Sequence, residues 1–189
     1  MKFIILFSLL VSAPLFAEEY DFAVEVHGQG TPMLLIPGLS NAGAVWDETV
    51  ARYKSDYQMH VVTLPGFAGQ PAMAKTDPYL SQVRDQLLAY IDTKKLKKPV
   101  VVGHSLGGYM AMMMAVEQPR LFKKIVIVDS VPFIPALTMP GATEENSKAM
   151  ADAMKTQMDK QDEQTRAASL DQILATMITS PERIKLAKK

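Results

Sequence analysis

The sequence predicts an α/β fold: a mostly parallel sheet with helices on both faces. Three observations carry this. First, Met33–Ile36, Met59–Leu64, Val100–Val102 and Lys124–Val128 are near-continuous apolar runs rather than alternating ones. Strands covered on both faces read that way. Second, helical patterns separate them; Leu80, Val83, Leu87, Leu88 and Ile91 recur at helical spacing between Tyr79 and Ile91. Third, Val100-Val101-Val102 runs into Gly103-His104-Ser105-Leu106-Gly107-Gly108, and a helix-forming stretch, Tyr109 to Glu117, follows. Strand, tight turn and helix in that order build parallel sheets.

With 189 residues and 48% hydrophobic content, the chain can bury one sizeable core. Its net charge of zero gives no reason to expect a nucleic-acid partner or an anionic surface. The first segment stands apart. Lys2 precedes an apolar run from Phe3 to Val11, broken by Ser8, and Ala17 is followed by Glu18-Glu19. This is the pattern of a secretory signal peptide over residues 1–17, cut after Ala17, with Ala13 the weaker site. The run is too short to span a bilayer permanently. The expected location is therefore secreted or periplasmic, with no stable membrane span after cleavage. With no cysteine in the chain, no disulfide supports the fold.

Residues 18–132 are expected to form the core. Asp21 to His27 alternates, as an edge strand does, and Gly28-Gln29-Gly30 turns the chain into the strand at Met33. Trp46 to Tyr53 is expected as a short helix with Trp46, Val50 and Tyr53 on one face. Lys94-Lys95-Leu96-Lys97-Lys98 is expected as a solvated loop before the central strand. Met110, Met112, Met113 and Met114 are expected to fill the core, and Lys124 to Val128 to be a buried strand.

After Val131 the pattern changes. Pro132, Pro135, Pro140 and Gly141 mark a linker. Thr143 can cap a helix beginning with Glu144 and Glu145. Met150, Met154 and Met158 recur every four residues along it and are expected to pack on the core. Ser169-Leu170-Asp171-Gln172 is a capping box ahead of an apolar stripe, Leu170, Ile173, Leu174, Met177 and Ile178. Ser180-Pro181-Glu182 signals another helix start.

The Gly-x-Ser-x-Gly turn points to chemistry. A nucleophilic serine must stand at the tip of a very sharp, strained turn, where neighbouring Cβ atoms would clash. Gly103 and Gly107 have none. Gly108, Ala111 and Ala115 let the helix lie close to the sheet, and its N-terminus favours developing negative charge. A phosphate-cradling turn is the bland alternative, but its glycine spacing differs and its central residue is not serine.

These residues, with Leu34-Leu35-Ile36-Pro37-Gly38-Leu39, Leu64-Pro65-Gly66-Phe67 and Val126-Ile127-Val128-Asp129-Ser130, resemble the α/β-hydrolase superfamily in order and separation. The resemblance runs from about Val24 to the C-terminus. It implies a serine hydrolase acting on a small ester, amide or related carbonyl substrate, with Ser105 as nucleophile and the backbone N–H groups of Leu39 and Leu106 as oxyanion donors. It implies neither metal nor cofactor. Residues 133–189 then correspond to the start of a helical cap. The family often has His-Gly where this chain has Pro37-Gly38, so positioning of the oxyanion loop must come from elsewhere. The loop Pro65 to Pro71 is expected to be structural, a pocket wall.

The general base is the gap. In this fold it follows the serine, yet the chain's histidines are His27, His60 and His104. His104 lies within the turn, where its ring projects away from the hydroxyl. Asp129 is a weak candidate for the triad acid. The expectation is the N-terminal part of a complete hydrolase whose last strands, acid and histidine lie outside these 189 residues. The alternatives are an inactive truncated product and a non-catalytic binding module that keeps the turn as architecture.

Overall fold

The computed structural model describes residues 20–133, 135–165, 168, 169 and 172. The signal-peptide segment, the stripe from Ile173 to Ile178 and the Ser180-Pro181-Glu182 start lie outside them.

Five strands form one sheet in the order β1-β3-β2-β4-β5. They are β1 (Ala23–His27), β2 (Thr31–Ile36), β3 (Tyr57–Thr63), β4 (Val100–His104) and β5 (Lys124–Val128). The pairs β2–β3, β2–β4 and β4–β5 are parallel, and β1 pairs antiparallel with β3 at the edge. The mostly parallel sheet is therefore present. A 3-10 segment (Gly43–Trp46) and α1 (Asp47–Tyr53) follow β2; α2 (Tyr79–Thr93) follows β3; α3 (Leu106–Glu117) follows β4.

Because successive strand residues point to opposite faces, the sheet divides its apolar residues between two cores. Leu34, Ile36, Val62 and Val101 pack with Val83, Leu87 and Ile91 of α2 and Met110, Ala111 and Met114 of α3. Met33, Leu35, Met59, Val61 and Val100 pack on the other face with Trp46 and Val50. Helices thus lie on both faces. The central strands are buried over most of their length, which is why they read as unbroken apolar runs.

Several sequence expectations need correction. Tyr53 does not share the buried face of Trp46 and Val50; it is 41% exposed. Tyr53 is the last residue of α1, and Val50 is the buried residue of that helix. Tyr53 instead meets Tyr57 edge-on, with Arg52 over its ring. Of the four α3 methionines, Met110 and Met114 are fully buried while Met112 and Met113 are half-buried, the outcome of helical spacing. Strand β5 is half-exposed, with both end residues open, since it is the outer strand of the sheet among the described residues.

Beyond β5 come α4 (Pro135–Thr138) and α5 (Glu144–Asp159). Thr143 caps α5 as expected. Its hydroxyl accepts the Asn146 N–H at 3.3 Å and the Asn146 side chain accepts the Thr143 N–H at 2.8 Å, a reciprocal capping box built with asparagine. Met150 and Met154 are each 53% exposed, so they do not pack on the core. Ser169 lies in helical backbone and donates its hydroxyl to the Thr165 carbonyl at 3.0 Å, and the Thr165 N–H donates to Asp162 at 2.7 Å; Leu170 and Asp171 of the expected capping box lie outside the described residues.

Candidate active site

The turn after β4 is the most constrained point of the backbone. Ser105 has φ 49° and ψ −115°, a conformation that L-residues avoid because of their Cβ. The turn is held from both sides. The Ser105 N–H donates to the Val128 carbonyl at 2.9 Å, and the Tyr109 N–H donates to the Ser105 carbonyl at 3.0 Å. A Cβ on Gly103 would sit 2.2 Å from the Gly107 carbonyl oxygen. A Cβ on Gly107 would sit 2.2 Å from the Ile36 carbonyl oxygen and 2.6 Å from that of Pro37. So Gly107 is small for the sake of β2, not of Gly103. Gly108 faces Ser130, whose Cβ would be 2.7 Å from an added methyl.

The loop after β2 forms the facing wall. The Asn41 N–H donates to the Gly38 carbonyl at 3.2 Å, closing a turn with Leu39 and Ser40 at its centre. Ser40 has φ 60°, as the third residue of a type II turn requires. The Asn41 side chain donates to the Leu39 carbonyl at 3.2 Å, and the Gly43 N–H donates to the Thr63 hydroxyl at 2.9 Å. These bonds supply the loop positioning that Pro37 cannot. Asn41 went unnoticed in the sequence; its signal was an asparagine three residues after a glycine in a strand-end loop. Leu39 is 59% exposed, which suits a residue that would act only through its backbone. Leu106 opens α3, so its N–H has no acceptor within the helix.

The histidines do not gather here. His27 sits on β1 in register with Met59 and so level with Val100, at the opposite end of the strands; it pairs with Glu25 at 3.5 Å. His60 lies level with Leu34 and Val101, four residues below Ser105 and two strands away. At about 3.3 Å per residue and about 4.8 Å per strand, that is about 16 Å. It is 4% exposed, and its Nδ1 lies 2.7 Å from the Tyr90 hydroxyl. Burial, then the nearby Lys94 charge, holds its pKa below the usual histidine value, while burial, then Tyr20, pushes Tyr90 up to about 12. This is a core pair. His104 packs its ring on the loop after β2: its Nδ1 would lie 2.9 Å from a Cβ on Gly38, and that nitrogen is buried without a hydrogen-bond partner in the structure.

Asp129 does reach this end. His104 is in register with Val128, so Asp129 is level with Ser105 on the adjacent strand. It is exposed and has φ 48°, a left-handed conformation that aspartate tolerates better than most residues. The Pro65–Pro71 loop closes on itself through Gly66 N–H to the Pro71 carbonyl at 2.9 Å, and Tyr79 donates to the Pro65 carbonyl at 2.9 Å. Among the described residues, two open clefts of about 400 and 430 Å³ lie elsewhere: one between α2 and the end of α3, the other beside Gly28 and Lys54. Among the described residues no group of three or more His, Cys, Asp or Glu side chains could hold a metal ion.

A strained serine between a parallel strand and a helix, facing a bonded loop from the neighbouring strand, defines a class. A family model for the alpha/beta hydrolase fold matches residues 31–183, and the chain belongs to that family. The pimeloyl-[acyl-carrier protein] methyl ester esterase of Vibrio atlanticus (strain LGP32) is 36% identical over 115 residues, 61% of this chain and 42% of that protein. The enzyme of the same name from Legionella pneumophila (strain Paris) is 31% identical over 123 residues, 65% of this chain and 48% of that protein. The chain spans under half the length of these curated relatives. A marine microorganism esterase superposes with a TM-score of 0.61 at 18% identity, covering 88% of this chain and 62% of that one, a likeness of fold.

Proposed function

We propose that this chain carries the nucleophile half of a serine hydrolase that cleaves a small ester or amide-type carbonyl compound, with esters favoured. The carrying observation is Ser105 at φ 49° between glycines whose missing Cβ atoms leave no room for any other residue. The similarity to methyl ester esterases supports the ester preference. In this reading the Ser105 oxygen attacks the carbonyl carbon and the C–O bond to the alcohol breaks, leaving an acyl-enzyme that water releases. The Leu39 and Leu106 N–H groups hold the negative oxygen of the tetrahedral intermediate. None of His27, His60 and His104 serves as base; the proton goes to a histidine outside these 189 residues. Residues 133–189 belong to the start of the cap, and residues 1–17 direct export to a secreted or periplasmic location.

The test is covalent labelling by a fluorophosphonate of the protein isolated from its native source. Labelling that disappears in Ser105→Ala supports the reading. Labelling that persists in Ser105→Ala assigns the nucleophile elsewhere. A wild-type protein that never labels, yet binds a ligand equally well with and without the substitution, is a binding module. The same preparation tests export, since its intact mass shows whether the chain begins at Glu18.

A further inference from the structure

The ring of His104 stands between the Ser105 turn and the loop after β2, and its contacts there converge on one glycine. Gly103 is in register with Ile36, so His104 lies level with Pro37, where the two strands end. A Cβ on Gly38 would have His104 Nδ1 at 2.9 Å, the Asn41 side-chain nitrogen at 3.2 Å and His104 Cε1 at 3.3 Å. The ring edge and the Asn41 amide therefore lie side by side over Gly38. That amide is already oriented, because its nitrogen donates to the Leu39 carbonyl at 3.2 Å. An amide nitrogen carries a second N–H. The Nδ1 of His104 is buried and makes no hydrogen bond, and a buried polar atom of that kind calls for a reason. A hydrogen on Nδ1 would sit against the Asn41 N–H groups, whereas a bare Nδ1 presents them with a lone pair.

The Gly38 carbonyl and the Leu39 N–H belong to one planar peptide. The Asn41 N–H donates to that carbonyl at 3.2 Å, and the ring of His104 backs the Gly38 Cα from which the plane extends. Further along the loop, the Gly43 N–H is tied to the Thr63 hydroxyl at 2.9 Å. The loop is thus braced from β3 at one end and by His104 at the other. His104 also precedes Ser105 in the chain, so movement of its ring alters the separation of Ser105 from the Leu39 N–H.

We propose that His104 is a positioning residue: with its Nδ1 bare beside Asn41, its ring sets the place of the Leu39 N–H relative to Ser105. The proposal rests on the reading of that N–H as an oxyanion donor. Three measurements on the full chain test it. In amide hydrogen exchange, His104→Ala should speed exchange of the Asn41 N–H about tenfold by local opening. The Gly43 N–H, held from β3, should keep its wild-type rate once any change in global stability is subtracted. Equal speeding at both amides, or none at Asn41, overturns the proposal. Nitrogen NMR of the wild-type imidazole, in mildly alkaline buffer, needs no substitution; it should show Nδ1 of His104 without a hydrogen, and a hydrogen there overturns the proposal. In fluorophosphonate labelling, His104→Ala should slow the reaction of Ser105 about tenfold, less than the loss of a whole oxyanion donor. His104→Ala/Asn41→Ala should be no slower than Asn41→Ala alone, because the two side chains act as one unit; losses that multiply overturn the coupling. A wild-type protein that never labels overturns the serine-hydrolase reading instead, and exchange at Asn41 still decides the part of His104.

Discussion

Replacing Ser105 by glycine should stabilise the protein, and the comparison that isolates why is with Ser105→Ala. Both substitutions remove the hydroxyl. Alanine keeps the Cβ that φ 49°, ψ −115° disfavours, whereas glycine removes it. A non-glycine residue in such a region costs about 1–3 kcal/mol. Against that, glycine gains freedom in the unfolded chain worth about 0.5–1 kcal/mol. The difference leaves Ser105→Gly more stable than Ser105→Ala by about 1 kcal/mol. For a chain of this size that is a rise in Tm of about 2–4 °C. Urea denaturation followed by circular dichroism supplies the free energies, and scanning calorimetry the Tm. An unchanged urea slope would show that the shift is one of stability and not of compactness. If Ser105→Gly proves no more stable than Ser105→Ala, the turn stores no strain at its tip, and the reasoning from backbone geometry to nucleophile fails with it.

Gly103→Ala should act in the opposite direction. Its Cβ meets only backbone atoms, at 2.2–2.6 Å, so the cost should reach about 3 kcal/mol or more, read as a fall in urea midpoint; a change below about 0.5 kcal/mol would contradict the packing described. Asn41→Ala should leave the fold intact but slow fluorophosphonate labelling of Ser105, by up to the about 100-fold of a lost oxyanion donor, because the Leu39 turn is released; an unchanged rate would show that the turn holds itself. His60 carries a pH dependence. Its folded pKa lies below 6.5 through burial first and Lys94 second, so the unfolded chain takes up a proton that the folded one refuses. Stability should be full above the unfolded value and decline as pH falls through and below about 6.5. His60→Asn should flatten that decline relative to wild type when urea midpoints are compared across pH, and a parallel decline in both would exclude His60 as its source.

Much of the fold was legible because its strands are covered on both faces and so declare themselves as apolar runs. The strained turn at Ser105 was legible because only glycine fits at Gly103 and Gly107. What escaped was set by tertiary contact. Nothing local shows that Gly107 is small on account of Ile36, or that Asn41 spends its side chain on Leu39. The half-exposure of β5 depends on what lies beside it, not on Lys124 to Val128. Met150 and Met154 of α5 repeat at helical spacing, but spacing gives a face and not its neighbour, and both side chains are open.

The contacts between the Ser105 turn and the loop after β2 run both ways. Gly107 is pressed on the Ile36 and Pro37 carbonyls, and Gly38 on the His104 ring. The two loops form a joint in which each side is the other's template. Inserting or deleting a residue in either would drive main chain into main chain. Variation is easier to admit elsewhere, near Gly69 or Gly141, where an added Cβ meets nothing within 4 Å. Anyone grafting a new specificity onto this scaffold should recombine after residue 131 and leave 36–43 and 103–108 untouched.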